Sequence, residues 1–375
     1  MNTRQITGVM IGAGFFARYQ IDAWRRLPNV RIAAVADSSP RKAEGVVREF
    51  QIPRAYESAE EMLERETADF VDVVTRPETH LELTCLAASR GLHVICQKPM
   101  APTMADCRAM VSACEEYGVR LLMHENWRWQ PWYREIHKLI TAGWIGRPVQ
   151  FAFQWRTRHS RGSEPYPAQP YLRSMPRLLV YESLVHLLDT YRFLHGELAS
   201  VYCQNRRLNP VVAGEDQSLI TVTFHDGVLG LIDANRLSGP ADPGVAMGTM
   251  RVDGDSGSLR LSSDGRIWLN AEGGPDVPHQ YEIPRTGYKG DSVFATQAHL
   301  IDALANDTPS ESDAENYLKT VAAEFACSET AEPGDVVRIR HQSECRGSRR
   351  FEKVSRNTGI GAEPVSSASC YRSLL

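Results

Sequence analysis

VMIGAGFFAR, residues 9–18, contains two glycines and an alanine with the spacing Gly-x-Gly-x-x-Ala. The apolar run ITGVMI ends inside this stretch, and FARYQIDAWRRL follows it with apolar residues at approximately helical spacing. This order predicts a strand, a glycine turn and a helix. A second apolar run, VRIAAVAD, ends on Asp37, about 20 residues after the glycines, where dinucleotide-binding folds carry an acidic residue. Together these features predict a dinucleotide-binding unit.

Each small residue of the glycine turn has its own predicted role. Gly12 permits the tight turn, Gly14 lets the backbone approach a pyrophosphate, and Ala17 leaves room for the helix to pack on the strand. The phosphate charge then lies at the N-terminus of the helix, where backbone N–H groups are free to bind it. Phe15 and Phe16, which complete the turn, are predicted to contact the same cofactor.

Asp37 predicts which nicotinamide dinucleotide is bound. Its carboxylate would accept hydrogen bonds from the hydroxyls of the adenosine ribose and would repel a 2′-phosphate, so NAD is the expected cofactor. Arg41 and Lys42 lie close enough in sequence to weaken this preference. NADP therefore stays as an alternative cofactor.

Strands and helices continue to alternate up to residue 124. The short links between them are typical of a doubly wound parallel sheet, and we predict an α/β fold of that kind. Ligands of such sheets bind beyond the carboxyl ends of the strands. The predicted elements are a helix over 40–50, a strand over 69–75, a helix over 78–89, a strand over 93–97, a helix over 104–117 and a strand over 120–124.

The residues that follow these strands are the expected cofactor contacts: Thr75, His80, Gln97 and Lys98. Lys98 comes directly after a strand, at the edge where the nicotinamide end of the cofactor would lie. Its ammonium could bind a substrate hydroxyl or stabilise the developing oxyanion. The alternative is an ordinary lysine in a solvated loop.

Beyond residue 148 the sequence changes to longer alternating segments with Asp-Gly turns at 226–227 and 264–265, which predict an antiparallel sheet joined by hairpins. Helices are predicted over 177–196, 293–306 and 313–329, so the second domain is α+β with a large, mostly antiparallel open sheet. The predicted domains are a dinucleotide-binding domain at 1–125, a substrate-binding and oligomerisation domain at 126–340, and a poorly ordered tail at 341–375.

Three polar residues interrupt the apolar helix predicted over 177–196. Glu182, His186 and Asp189 follow the spacing i, i+4 and i+7, which predicts that they share one helix face. Polar groups among leucines need partners, either in a ligand or in the protein. A structural His–Asp hydrogen bond is the alternative to a catalytic role. No metal site is predicted, because this set lacks a metal-binding spacing.

Composition limits the classes of partner. A chain of 375 residues with 42% apolar and 23% charged residues fits a globular protein of about two domains. A net charge of −4 gives no footprint for nucleic acid, and no segment is long and apolar enough for a membrane span. Small-molecule partners and a cytoplasmic location are expected. The eight cysteines include no C-x-x-C pair, which favours reduced, packed thiols.

The chain resembles the Gfo/Idh/MocA family of nicotinamide-dependent oxidoreductases over residues 6–335. The order and spacing of several motifs carry this resemblance beyond the opening glycines. It implies a Rossmann domain followed by an α/β domain whose open sheet often serves oligomer contacts, so a homo-oligomer, a dimer or tetramer, is expected. The motifs are GAGFFA, AVAD, VVTRPETH, GLHVICQKP, HENWRWQPWYREIHKLITAGWIGRP and YESLVHLLD.

The resemblance also implies roles for single residues. Lys98 matches the lysine of the family's Glu-Lys-Pro motif, which lies near the substrate hydroxyl, while Glu182 and His186 match a substrate-binding acid and a histidine that often acts as general base. Three positions depart from the pattern: Gln97 replaces a glutamate, Glu182 replaces an aspartate, and Arg76 replaces a proline. These departures predict a subgroup with an altered pocket.

Substrate contacts are expected near the start of the second domain and in the segment QWRTRHSRGSEPYPAQPYLRSMPR. Asn126, Arg128, Arg156 and Tyr171 are the candidates, with arginines that could bind a carboxylate or phosphate, or sugar hydroxyls. The alternative for each arginine is solvent exposure or pairing with an acid.

The predicted reaction is NAD(P)-dependent oxidation of a secondary alcohol of a sugar or polyol, with an aldose or pentose as the first expectation. HENWRWQPW, CQKP and YES together resemble family members that act on branched pentoses of the D-apiose type. Two alternatives stay open: dehydrogenation of a carboxylated cyclohexadiene diol, and a non-catalytic NAD-binding regulatory protein.

Overall fold

The computed structural model describes residues 4–271, 273–329 and 337–339 of the chain. Two β-sheets dominate these residues, and helices cover both faces of the first sheet and one face of the second. The predicted tail at 341–375 lies outside the described residues. The domain limits at residues 125 and 340 stay predictions.

The first sheet is parallel throughout, as the strand–helix alternation predicts. Its strands are β1 (Ile6–Ile11), β2 (Val30–Ala36), β3 (Arg54–Tyr56), β4 (Phe70–Val73), β5 (His93–Gln97) and β6 (Leu121–His124). They lie in the order β3-β2-β1-β4-β5-β6. The chain therefore winds in one direction from β1 to β3 and in the other from β4 to β6, and the reversal lies between β1 and β4. Ligands of doubly wound sheets bind at that reversal, beyond the carboxyl ends of the strands.

Helices cover both faces of this sheet, so the central strands are buried on both sides and consist almost wholly of apolar residues. Side-chain caps fix two helix starts: Ser58 Oγ accepts from the N–H of Glu61, and Thr103 Oγ1 accepts from that of Asp106. The helices are α1 (Ala17–Arg26), α2 (Pro40–Phe50), α3 (Ala59–Arg65), α4 (His80–Ser89) and α5 (Met104–Glu116).

The second sheet is antiparallel except for one parallel pair, β7 with β10. Asp-Gly turns join β9 to β10 and β12 to β13, as predicted. The strands are β7 (Pro148–Arg156), β8 (Leu198–Arg206), β9 (Gln217–Phe224), β10 (Leu229–Asn235), β11 (Thr249–Gly254), β12 (Gly257–Leu261), β13 (Ile267–Ala271), β14 (Val277–His279) and β15 (Val337–Arg338). Their order is β14-β13-β12-β11-β7-β10-β9-β8-β15.

One face of the second sheet packs against α6 (Pro131–Thr141) and α7 (Val185–His195). Along β9 every second residue is buried, and Phe224 contacts Tyr191 of α7. On the opposite face Leu219 and Leu229 are exposed, without cover from the residues that the structure describes.

The helix predicted over 177–196 is not continuous. Its first part is a π-helical turn, Leu179–Leu184, and the α-helix α7 begins only at Val185. A π-helical turn is wider than an α-helical turn, so the i, i+4, i+7 spacing of the polar residues does not give one shared face. Such turns are common at functional sites.

The last two helices bring the chain back to the first sheet. Leu300 of α8 (Ser292–Asn306) packs in one apolar cluster with Trp24, and Tyr317 of α9 (Ala314–Glu329) packs in another with Met110. In addition, α9 contacts α7 and β8 of the second domain. None of the helices in the described part of the chain is long and apolar enough to cross a membrane.

Candidate active site

Lys98 and Glu182 meet between the two domains. Lys98 follows β5, before a cis peptide bond to Pro99, and its Nζ lies 2.7 Å from the backbone oxygen of Glu182 and 3.1 Å from Oε1 of the same residue. Glu182 belongs to the π-helical turn of the second domain. Two of the predicted catalytic residues, 84 positions apart, therefore form an ion pair at the carboxyl edge of the parallel sheet.

The Glu182 carboxylate has a second cationic partner. Its Oε2 accepts from Arg236 Nη2 at 2.9 Å and from Ser183 Oγ at 2.5 Å. Burial alone would raise the pKa of Glu182, but Lys98 and Arg236 outweigh it and hold the pKa well below the usual range of a glutamate. Arg236 follows β10, and no motif in the sequence points to it.

His186 lies in the first turn of α7. Its Nδ1 lies 2.5 Å from Oε1 of Glu125, and its ring stacks on Trp127 at a centroid distance of 4.9 Å. Its Nε2 makes no hydrogen bond with the residues that the structure describes. Burial lowers the pKa of His186, and the charge of Glu125 opposes this effect.

Glu125 is a site residue that the sequence reasoning missed. It directly follows β6 and is 1% exposed. Its Oε1 also accepts from the N–H of Trp127 at 3.1 Å, and its Oε2 accepts from the hydroxyl of Tyr317 at 3.1 Å. The sequence offered a structural His–Asp hydrogen bond for His186, and the structure gives Glu125 as its partner instead. Its position after a strand at the cofactor edge was the available signal.

Asp189 completes the predicted polar set and is structural. Its carboxylate accepts two hydrogen bonds from Arg128, at 2.6 and 2.7 Å, and a third from the hydroxyl of Thr320 at 3.0 Å. The residue is fully buried. Glu182, His186 and Asp189 thus bind three different sets of partners.

The glycine turn leaves room for a cofactor phosphate. Gly12 has a φ of +107°, and a Cβ there would lie 2.4 Å from the backbone oxygen of Val74. A Cβ on Gly14 would meet no atom within 4 Å, so the open side of the turn lies at Gly14. Ala17 is fully buried at the start of α1, whose preceding residue, Phe16, supplies no side-chain cap. The N–H of Tyr19 donates to the backbone oxygen of Phe16 at 3.1 Å, and the two N–H groups before it, those of Ala17 and Arg18, are available to an anion.

Asp37 lies at the end of β2, beside this turn. Its Oδ2 accepts from the N–H of Ala13 at 2.8 Å, and its Oδ1 accepts from the N–H of Ser39 at 2.9 Å. Each carboxylate oxygen keeps a lone pair for a ribose hydroxyl. The arrangement of Asp37, Gly12 and Gly14 therefore fits a dinucleotide.

Aromatic side chains line the outer side of the same turn. The ring of Phe16 lies 5.3 Å from that of Tyr288 between centroids, and Tyr19 lies 4.9 Å from Tyr288. Phe15 is 45% exposed beside Tyr19. Of the two predicted cofactor residues, Phe15 is therefore accessible, whereas Phe16 is half-buried and packs against the core of the first domain.

The other predicted cofactor residues lie where β4 and β5 end. Thr75 Oγ1 lies 2.7 Å from Oγ1 of Thr79, and Gln97 Oε1 accepts from the N–H of Lys98 at 2.8 Å. Gln97 Nε2 is buried and has no partner among the described residues. Thr75 and Gln97 thus lie at the predicted edge of the sheet.

The prediction for His80 is corrected. The imidazole is fully buried, and its two nitrogens lie 3.0 Å from the backbone oxygen of Met100 and 3.2 Å from that of Thr75. Burial lowers the pKa of His80. Both nitrogens face backbone, so His80 joins the loops after β4 and β5 and presents no ring nitrogen to a cofactor.

Two predicted substrate arginines are already paired elsewhere. Arg128 is 6% exposed and binds Asp189, as described above. Arg156, on the outer face of the second sheet, pairs with Asp233 of the neighbouring strand β10. The prediction that Arg128 and Arg156 contact the substrate is therefore corrected: each arginine binds a carboxylate of this chain.

The remaining two substrate candidates differ in accessibility. Asn126 is 1% exposed and its Nδ2 donates to Ser292 Oγ at 2.9 Å, so its amide group joins the end of β6 to α8. Tyr171 lies on a short 3₁₀ turn, Pro170–Ser174, and lines a cavity of 140 Å³ together with Arg76. Substrate contact by Tyr171 therefore stays a prediction.

Comparison with known proteins identifies the family. Residues 6–125 match the model of an oxidoreductase family with an NAD-binding Rossmann fold, and residues 133–260 match the GFO/IDH/MocA C-terminal domain. These matches confirm the predicted fold class and the predicted NAD-binding character of the first domain.

Two relatives are named D-apiose dehydrogenase. The protein from Paraburkholderia graminis is 34% identical over 90% of this chain and 90% of its own length. The protein from Rhizobium rhizogenes is 31% identical over 90% of this chain and 99% of its own length. A solved oxidoreductase from Agrobacterium radiobacter, in complex with NAD+, L-tartaric acid and magnesium, is 30% identical with a TM-score of 0.83, over 89% of this chain and 98% of that one. The chain belongs to the Gfo/Idh/MocA family of oxidoreductases.

Proposed function

We propose that this protein is an NAD-dependent dehydrogenase that oxidises a secondary alcohol of a sugar or polyol, with a pentose or other aldose as the first candidate substrate. One observation carries the proposal: the free imidazole nitrogen of His186 and the ammonium of Lys98 both lie at the cofactor edge of the Rossmann sheet, close enough that the charge of Lys98 acts on the pKa of His186. The two relatives named D-apiose dehydrogenase support a branched pentose within this class.

His186 is the proposed general base. Its Nε2 has no partner among the described residues, whereas its Nδ1 is held by Glu125. Because burial lowers its pKa, the imidazole is neutral at physiological pH and able to accept a proton. The hydroxyl proton of the substrate would pass to Nε2.

Lys98 is the proposed electrostatic stabiliser. Its ammonium donates two hydrogen bonds to Glu182, one to the backbone oxygen and one to the carboxylate, and has a third N–H left for the substrate oxygen. An ammonium has only donors, so this residue donates rather than accepts. Stabilising the alkoxide lowers the barrier to the loss of hydride from the adjacent carbon.

NAD supplies the oxidant, a nicotinamide ring that accepts a hydride. The chain's own contribution is to bind and orient it. Gly14 and the free N–H groups at the start of α1 would hold the pyrophosphate, and Asp37 would hold the adenosine ribose. A preference for NAD over NADP follows from the carboxylate of Asp37.

A carboxylated diol is disfavoured as a substrate. That alternative relied on arginines to bind a carboxylate, and both Arg128 and Arg156 already have carboxylate partners in Asp189 and Asp233. Arg236, a second cation at the Glu182 carboxylate, is also already paired. The charges around Lys98 are thus largely compensated, which suits a neutral polyol.

The test is absorbance at the wavelength of reduced nicotinamide with purified protein, NAD and a panel of D-apiose, aldoses, inositols and cyclic diol acids, repeated with NADP. Signal with a sugar or polyol supports the proposal. Signal with a diol acid alone would transfer the enzyme to that substrate class. Silence across the panel, with NAD binding measured separately, would favour a regulatory protein.

Two further expectations accompany this proposal. We expect a homo-oligomer, a dimer or tetramer, because the outer face of the second sheet exposes Leu219 and Leu229 without cover from the described residues. Sedimentation equilibrium would measure the assembly. A cytoplasmic location, with a small molecule as the substrate, also stays a prediction.

A further inference from the structure

We propose that Glu125 is a positioning residue that holds His186 in a single tautomer, with the proton on Nδ1, so that Nε2 is the atom that accepts the substrate proton. This inference rests on the proposed function, because it assigns a role within the same reaction. It adds a residue that lies outside the Lys98, Glu182 and His186 set.

The hydrogen-bonding chemistry of a carboxylate supports this role. An ionised carboxylate only accepts hydrogen bonds, so the nitrogen that faces it at 2.5 Å must carry the proton. A neutral imidazole has one proton on its two nitrogens. With Nδ1 protonated, the lone pair is on Nε2, the nitrogen that lacks a partner among the described residues.

Glu125 is itself fixed from two sides. The N–H of Trp127 donates to the same oxygen that faces His186, and the hydroxyl of Tyr317 donates to the other oxygen. The plane of the carboxylate is therefore set by groups from α9 and from the backbone after β6. Trp127 also stacks on the imidazole with an interplanar angle of 13°, so it restrains both members of the pair.

Four groups are positioned to influence the charge of His186. Glu125 favours the imidazolium and Lys98 disfavours it, while the more distant carboxylate of Glu182 favours it weakly. Tyr317 acts only through its hydrogen bond to Glu125. Glu182 is already neutralised by Lys98 and Arg236, so Glu125 is the anion that stabilises a protonated His186.

The reaction balances with these assignments. The O–H and C–H bonds of the secondary alcohol break, a C=O bond forms, the proton passes to Nε2, and the hydride passes to NAD, which is reduced. His186 then carries a positive charge beside the buried Glu125. That ion pair forms only as the reaction proceeds, which is the condition for an interaction that increases kcat.

The first experiment measures the tautomer without turnover. The full-length protein, labelled with ¹⁵N in its 11 histidines, gives distinct imidazole nitrogen signals for the two tautomers, and loss of signals in His186→Gln assigns His186. We expect protonated Nδ1 and unprotonated Nε2 at neutral pH. A proton on Nε2 would overturn the inference whether or not a substrate has been found.

The second experiment separates charge from geometry. Glu125→Gln keeps a carbonyl oxygen for Trp127 and His186 and places its amide against the Tyr317 hydroxyl, but it removes the negative charge. We expect kcat to fall at least about tenfold with little change in KM, and the acid limb of the kcat profile to move to lower pH. Glu125→Ala, which removes the negative charge and also the atoms that accept the hydrogen bonds, should reduce kcat further.

Another histidine–carboxylate pair supplies a matched control. Glu135 Oε1, on α6, lies 2.8 Å from Nε2 of His279, on β14, and Glu135→Gln should leave kcat and its pH profile unchanged. If Glu125→Ala does not fold, Tyr317→Phe offers a milder test, since it removes one bond and keeps the charge. A Glu125→Gln enzyme with wild-type kcat and acid limb would contradict the inference.

Discussion

Lys98 Nζ lies 2.7 Å from the backbone oxygen of Glu182, and this contact links the end of strand β5 to the π-helical turn before α7. A second bond to the carboxylate of Glu182 fixes the same ammonium. The cation is therefore held in place by a residue of the other domain, at the edge where a cofactor is expected.

Lys98→Met should reduce kcat by about a hundredfold or more, because the alkoxide loses its cation while the glycine turn is unaffected. NAD affinity, measured by isothermal titration, should stay within about threefold of wild type. Lys138→Met, at an exposed ion pair on α6, is the matched control and should leave kcat unchanged. Near-normal turnover of the Lys98 variant would remove this residue from the mechanism.

His186→Ala should also reduce kcat by about a hundredfold or more, with NAD binding retained. In the wild-type enzyme, oxidation needs the neutral imidazole, so kcat should decline as pH falls through the pKa of His186. Burial places that pKa below the ordinary histidine value of about 6.5, so the plateau should extend from there to higher pH. Rate profiles from acid to neutral pH measure the limb, which the alanine variant should lack.

The two glycines of the turn should respond differently to alanine. Gly12→Ala should lower the free energy of unfolding by more than about 1 kcal/mol, because the residue has a positive φ and its Cβ would strike the Val74 carbonyl. Gly14→Ala should leave unfolding unchanged, since its Cβ meets no protein atom, yet weaken NAD at least about tenfold by occupying the phosphate space. Urea denaturation and titration calorimetry separate the two effects. Tight NAD binding by Gly14→Ala would refute the assigned phosphate position.

Asp37→Asn should weaken NAD and strengthen NADP, because the charge that repels a 2′-phosphate is gone while an acceptor for the Ala13 N–H remains. The ratio of the two dissociation constants is the quantity to measure. Wild type should bind NAD more tightly, and the reverse preference would show that Arg41 and Lys42 dominate.

Arg128→Met should act on stability. It leaves the fully buried carboxylate of Asp189 without its bidentate partner, which costs about 3–5 kcal/mol of unfolding free energy. Arg147→Met removes an ion pair whose arginine is 92% exposed, and should cost less than about 1 kcal/mol. Chemical denaturation of both variants checks the contrast. If the Arg128 variant is as stable as wild type but has a raised KM, the original prediction that Arg128 contacts the substrate would be supported instead.

Residues adjacent to strand ends were predictable because their position follows from local pattern. The spacing around Gly12 and Gly14, and the location of Lys98 directly after an apolar strand, identify the cofactor edge from sequence alone. The alternation of buried residues likewise predicts the second sheet. Short elements such as β3, with three residues that are not buried, carry too weak a pattern to be found.

Partners far apart in the chain were not predictable. Glu125 and His186 are 61 residues apart, as are Arg128 and Asp189, and no periodicity relates their side chains. The π-helical turn was not predicted for another reason. Over six residues, the spacing of its apolar residues differs too little from that of an α-helix. Glu182 lies in that turn and His186 in the α-helix after it, so the partner of each side chain could be found only from the structure.

The return of α8 and α9 to the first sheet makes its folding non-local. Leu300 and Tyr317 complete apolar clusters begun by residues before position 125, and Arg120 also pairs with Asp313. A gene fragment that stops at residue 125 would leave those clusters uncovered, so we expect it to aggregate during expression. A minimal dinucleotide-binding module would have to be cut as two pieces and joined by a designed linker.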